Sequence, residues 1–231
     1  VNIGLNNTVM FQRPIHAIEF QDEYGQGLGG NYNRVAEAAW GPKLEGQMVD
    51  TWSLDPADAG KQYPFVANPD NRKDVFRTGF NMVNNVTASV GGEKTQTFFS
   101  YTFNNAQGIL PGNDMKRHNI SVRMTNKLAK GLVLDTKLEY INQDINNKTD
   151  EGESNFNPLR QIYRMPSNIS TAMAEKFEFV NTDGRVLQNY WNPATTNGAN
   201  PYWTIRRNPN DYKMERILAM TSLSYSFSDA L

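Results

Sequence analysis

The chain has 231 residues, a formal net charge of -1 and no cysteine, with 28 asparagines, 17 glycines and 11 prolines. The charge balance argues against a nucleic-acid partner, whose phosphates need an excess of lysine and arginine, and the missing cysteines exclude disulfides and thiolate-bound zinc. The absence of any run of about 18 apolar residues excludes a membrane-spanning helix, and the asparagine, glycine and proline content predicts many turns.

Val1 stands inside an alternating run with no basic and apolar leader before it, so the sequence reads as a piece of something longer. Six stretches alternate with period 2, near residues 1–12, 80–90, 95–103, 116–128, 132–141 and 217–228. The first sets Val1, Ile3, Leu5, Val9 and Phe11 against Asn2, Gly4, Asn6, Thr8 and Gln12. The second sets Phe80, Met82, Val86, Ala88 and Val90 against Asn81, Asn85, Thr87 and Ser89. In the third, Phe99, Tyr101 and Phe103 oppose Ser100 and Thr102. In the fourth, Ile120, Val122, Met124 and Leu128 oppose Ser121, Arg123, Thr125 and Lys127. Leu132, Leu134, Leu138 and Tyr140 oppose Asp135, Lys137 and Glu139 in the fifth, and Ala219, Leu223, Tyr225 and Phe227 oppose three serines in the sixth. Val83, Phe98, Val133, Ile141 and Met220 fall on the polar side without destroying the period.

Long and short connections alternate: residues 13–79, 91–94, 104–115, 129–131 and 142–216. In a meander this puts both very long loops at one rim and the tight turns at the other. The pattern predicts an all-β fold, and two architectures fit it. One is an antiparallel transmembrane barrel segment, apolar outside and polar inside, with short turns on one side and long extracellular loops on the other. The other is a soluble carbohydrate-binding β-sandwich with a solvated polar face. The mixture of Asn, Ser, Thr and charged residues on the polar side suits a lumen, and Phe80, Phe103, Tyr140 and Phe227 near strand ends suit interfacial girdles. On the barrel reading Phe99, Tyr101, Phe103, Val122 and Met124 face lipid, and Ser100, Thr102, Arg123 and Lys127 face inward.

Within the loops, WGPKLEGQ (40–47) reads as a turn with an aromatic anchor, and NPDNRKD (68–74) as Asx-turn chemistry lacking calcium-loop spacing. NPLRQIYRMP (157–166) predicts a short helix capped by Asn157, opened by Pro158 and stopped by Pro166, with Leu159, Ile162 and Tyr163 on one face. NTDGR (181–185) predicts a hairpin turn. The candidate contact surface for substrate or a partner protein is aromatic: Trp40, YWNP (190–193) with Tyr190 and Trp191, and NPYWTIRRNP (200–209) with Tyr202 and Trp203, beside Arg206 and Arg207. Catalysis finds no foothold: His16 and His118 are the two histidines, and neither a G-x-S-x-G elbow nor a phosphate-binding glycine loop is present. The residues imply no metal and no cofactor.

The order YGQG (24–27), WGPKLEGQ, DNRKDVFRTGFNMVNNVTASVGGEKTQTFFSYTF (70–103), NNAQGILPGNDMKRHNISVRM (104–124), KLAKGLVLDTKLEYINQ (127–143) and NPLRQIYRMP resembles the SusC-type TonB-dependent transporters of Bacteroidetes-type outer membranes. The resemblance covers the chain to about residue 170 and rests on the ordered series rather than on one motif. It implies a roughly 22-stranded barrel of which this sequence holds about six strands, with the plug and the TonB-contacting segment outside it. It also implies a SusD-like lipoprotein partner, TonB as the energy source, outer-membrane lipid around the wall, and import of oligosaccharides or oligopeptides.

Overall fold

The computed structural model describes residues 1–15, 18–191 and 199–227. His16, Asn192, Pro193 and Ser228, which carried parts of the sequence reading, lie outside them. In chain order the strands are β1 (Asn2–Gln12), β2 (Gly27–Leu28), β3 (Asn31–Tyr32), β4 (Glu45–Asp50), β5 (Gln62–Val66), β6 (Gly79–Gly91) and β7 (Thr95–Gln107). There follow β8 (Asp114–Ala129), β9 (Leu132–Asn146), α1 (Pro158–Arg164), α2 (Thr171–Ala174), β10 (Glu178–Val180), β11 (Val186–Gln188), α3 (Pro201–Arg207) and β12 (Tyr212–Tyr225). Strands hold 49% of the described residues and helices 10%, which makes the fold mostly antiparallel β, consistent with an all-β protein.

One open six-stranded sheet dominates, in the order β1-β6-β7-β8-β9-β12, and β1 and β12 form its two edges. Its strands run further toward the long-loop rim than alternation predicts: β7 continues to Gln107, β9 to Asn146, and β12 begins at Tyr212. In that zone (NNAQ, DMKRH, INQDIN, YKMER) both faces are largely polar, so the ladder continues after the apolar alternation has stopped. The connection between β7 and β8 therefore shrinks to residues 108–113. The tight turns, at residues 92–94 and 130–131, lie at the opposite rim, where Gly131 takes φ 73° and its carbonyl accepts the Ser226 N–H.

The register aligns side chains into rows. Ile3, Ala88, Phe99, Val122, Leu138 and Ala219 stand side by side, and Leu5, Val86, Tyr101, Ile120, Tyr140 and Ile217 form the next row on the same face. Ser100, Thr102 and Arg123 occupy the opposite face, where the Arg123 guanidinium forks onto Asp135. The apolar rows do not run square to the strands. At the loop side they start with Phe80, which pairs with Gln107; on β8 they start with Ile120, which pairs with Tyr101, six residues further along β7. At the turn side, Val90 shares a row with Thr97, Met124 and Thr136, whereas Tyr225 pairs with Leu132, four residues beyond Thr136. The apolar band thus slants across the sheet.

Neither face of this sheet is a core. Among the large hydrophobics of its six strands only Ile141 is buried, while Ile3, Leu5, Phe11, Val86, Val90, Ile120, Leu138, Ile217 and Leu223 are exposed. The core lies in the loops. Trp52 and Val75 from residues 13–78, Leu110 from residues 108–113, and Ile162, Met165, Ile169, Ala174, Trp191, Tyr202 and Ile205 from residues 147–211 form one buried cluster. Three connections at one rim have condensed into a cap.

Candidate functional site

The cap begins with a close crossing of two glycine segments. Gly25 N–H donates to Pro42 O (3.1 Å), Gly41 N–H to Gly25 O (3.0 Å) and Trp40 N–H to Gly27 O (3.1 Å). A Cβ on Gly41 would lie 2.5 Å from Gln26 O, and Gly27 holds φ 147°, so YGQG and WGP require glycine to pass one another. The crossing leaves the Trp40 ring 60% exposed, 5.9 Å from the Tyr24 ring.

The last loop is built on two Asn-Pro helix starts. Asn157 accepts the Leu159 N–H (3.0 Å) at the head of α1, as its sequence predicts, and the helix ends before Pro166. Ile162 and Met165 enter the core, whereas Tyr163 turns out and stacks on Phe20. Asn200 accepts the Tyr202 N–H (2.9 Å) at the head of α3, a helix the sequence reading did not include although Asn200-Pro201 repeats the Asn157-Pro158 signal. Between them NTDGR closes the β10–β11 hairpin, but Gly184 alone takes positive φ (78°); Asn181 braces the turn by accepting the Asp183 and Arg185 N–H groups.

Buried amides bind the two long loops together. Asn71 donates to Pro166 O (2.9 Å) and Ile169 O (2.7 Å), Asn189 donates to Ser53 Oγ (3.1 Å), and Asn168 accepts the Gln26 N–H (2.7 Å). The NPDNRKD segment is thus an inter-loop clasp as well as a turn, with Lys73 on Asp70 and Asp74 on Thr171.

The aromatic contact candidates divide into two sets. Trp191 and Tyr202 are core residues; the Tyr202 hydroxyl has no partner among the described residues, and burial, aided by Glu175 and Asp74, pushes its pKa up to about 12. Tyr190 and Trp203 are half-buried and line an open groove of about 540 Å³ with Phe156, Phe179 and Leu187. Arg206 lies over the Phe177 ring (5.4 Å), and Arg207 grips Glu178 through Nε and an Nη nitrogen, each at 2.6 Å. That hydrogen-bonded pair holds the Glu178 carboxyl below its usual value. Arg207 therefore ties α3 to the hairpin, which leaves Trp40, Tyr190, Trp203 and Arg206 as the accessible candidates.

A second cavity, of about 330 Å³, lies where the glycine crossing meets α1 and is lined by Phe20, Gln26, Arg72, Tyr163, Arg164 and Trp191 among others. Sequence reasoning passed over it, because Gln26 and Arg72 sit in separate turn segments and meet only through the fold. His118, at the loop-side border of the apolar band, stacks on Phe103 (4.8 Å) with Nδ1 2.9 Å from the Tyr101 hydroxyl. No protein-family model matches the chain, and no curated protein does either.

Proposed function

We propose that this sheet is a wall segment of an outer-membrane β-barrel, and that the protein imports oligosaccharides or oligopeptides in a TonB-dependent manner with a SusD-like surface lipoprotein. The observation that supports the membrane part is the slant of the exposed apolar band. Its borders shift by six residues on the loop side and four on the turn side across the five strand spacings from β1, where Phe11 is level with Phe80, to β12. With about 3.3 Å per residue and about 4.8 Å between strands, that shift tilts the strands by roughly 30–40° from the normal to the band. Transmembrane barrels tilt their strands by about 35–45° to the bilayer normal. Along β12 the band runs from Ile217 to Tyr225, about 26 Å of strand and about 21 Å after correction for the slant, close to the ~25 Å apolar belt of such barrels. Phe103, His118 and Tyr140 near its loop-side border suit the interfacial girdle.

The transport part rests on the ordered sequence resemblance, and the cap suits it by presenting Trp40, Tyr190, Trp203 and Arg206 at the loop rim. The soluble β-sandwich needs a second sheet laid on the apolar face, while the strands outside the main sheet form two-stranded ribbons in the described residues.

The chain has no cysteine, so single replacements can carry a spin label. In lipid vesicles, labels at Val122 and Leu138 should collide with dissolved oxygen, and labels at Ser121 and Lys137 with a water-soluble quencher. Equal shielding of Val122 from both reagents, in a protein that stays soluble without detergent, would establish the sandwich. For the partner, Trp40→Ala combined with Arg206→Ala should lower lipoprotein pull-down; unchanged capture removes these residues from the docking role.

A further inference from the structure

The aromatic groove beside Trp203 is one of three adjoining clefts on the cap. The middle cleft, of about 480 Å³, lies between residues 147–150 and the C-terminal end of α3, against Leu110, Pro158 and Ile205. It shares Phe156, Thr204 and Asn208 with the 540 Å³ groove. At its other end it shares Leu110, Thr149 and Asp150 with a cleft of about 360 Å³ that also holds Glu151. Each of the three has the size of a small-molecule site.

Two groups in the middle cleft are open and held side by side. Ser154 Oγ donates to Asp150 Oδ2 (2.8 Å) and accepts the Phe156 N–H (3.2 Å), so one hydroxyl fixes both residues. The other Asp150 oxygen has no donor among the described residues and is not sealed from solvent. Phe156 is 59% exposed, so its ring packs into no core.

The charged residues lining the row are Lys148, Asp150, Glu151 and Arg207. Arg207 is committed to Glu178 (2.6 Å), and Lys148 holds its ammonium over the Tyr212 ring, 5.5 Å from the centroid. Among the described residues no ion pair engages Asp150 or Glu151. The far groove is walled by Leu54, Phe179, Leu187 and Trp203 and, among the described residues, by no charged side chain. Polarity thus runs from acidic to apolar across Phe156; Lys148 tempers the acidic end without cancelling its two carboxylates.

We propose that this row of clefts binds a short peptide. Its amine donates to the free Asp150 oxygen as a charge-assisted hydrogen bond, and its neighbouring apolar side chain packs on Phe156 toward Trp203. A neutral sugar offers no cation to Asp150. That the peptide is also the imported cargo rests on the transport reading, where it selects oligopeptides over oligosaccharides; the binding itself needs only the folded cap.

Four probes separate the parts at neutral pH. Leucyl-glycyl-leucinamide carries cation and apolar groups, its N-acetyl form lacks the cation, triglycinamide lacks the apolar groups, and maltotriose lacks both. Saturation-transfer NMR on the intact protein in an uncharged detergent should rank the free leucyl peptide first. It should bind about fivefold tighter than its acetyl form, the size of one partly exposed ion pair. Asp150→Asn keeps the acceptor for Ser154 and removes the charge, so it should bring the two leucyl peptides to equal affinity at an unchanged melting temperature. Equal affinities in the unmodified protein overturn the proposal whether or not the variant folds, as does a preference for the free peptide that survives Asp150→Asn. Triglycinamide binding as tightly as the leucyl peptide overturns the apolar section, and maltotriose displacing that peptide overturns the choice of ligand class. A protein that proves soluble without detergent refutes the barrel wall and leaves these results standing.

Discussion

The sheet and the cap solve the burial problem in opposite ways. The sheet has the longer strands and the more regular pattern, yet it buries almost none of its large hydrophobics within the chain. In the described residues the cap has irregular backbone, three short α-helices, a single 3-10 turn at residues 56–58 and three two-stranded ribbons, and holds a continuous core stitched by buried amides. Regular alternation here marks an apolar face that the described residues leave uncovered. Irregular sequence rich in asparagine, proline and glycine can still enclose a core, provided its backbone groups find partners.

The contrast can be tested by damage to each region. Trp52 is 2% exposed at the centre of the cap core, and Trp52→Ala should cost about 3–5 kcal/mol. The loss should stay local: proteolysis should open residues 147–211 while the six strands keep their protection in hydrogen exchange, and simultaneous loss of both would show that cap and sheet are one unit. Next in size, on the proposed barrel reading Val122→Arg should cost about 2–4 kcal/mol in lipid, as a charge near the middle of the apolar belt of such barrels does. Ser121→Arg on the other face should be tolerated, and equal penalties in a lipid-refolding titration would dissolve the distinction between the faces. Asn200→Ala removes the cap of α3 and the hydrogen bonds to Ala174 O and Asn189 O. It should destabilise the cap by about 2 kcal/mol, seen as a lower melting temperature with unchanged strand content.

The smallest effect should come from pH. The Glu178 carboxyl lies below its usual value because Arg207 hydrogen-bonds it. A depressed acid contributes its full stabilisation above the ordinary carboxylate range and loses it as pH falls through the depressed value. Acidification below about pH 4 should thus loosen the β10–β11 hairpin from α3 before the sheet responds. Hydrogen exchange corrected for intrinsic rates should show this step, and Glu178→Gln should remove it.

The six strands were legible because half-buried strands alternate, and the loop-rim ends were not because both faces are polar there, as in Asn104 to Gln107. Helix α1 was legible from Asn157-Pro158, while the aromatic cluster around Trp203 drew attention away from the same signal at Asn200-Pro201. The asparagines were read as turn formers; Asn71, Asn168, Asn189 and Asn200 are instead buried brackets, and no local pattern distinguishes the two uses. Trp191 and Tyr202 looked like contact residues because aromatics suit both surfaces and cores, and only packing separates them. The Arg72–Gln26 cavity had no local signal, since its partners come from distant turns.

The alternation of long and short connections also sets an order of events. The pairs β6–β7 and β8–β9 close through residues 92–94 and 130–131, at low loop-closure cost, so these hairpins can form early. The cap core joins Trp52 to Trp191, which are distant in sequence and meet only after the strands between them have brought their rims together. Cap substitutions such as Trp52→Ala should therefore leave the refolding rate nearly unchanged and accelerate unfolding, whereas changes in the 130–131 turn should slow refolding. On this order of events the cap should be the last part of the molecule to assemble and the first to come apart.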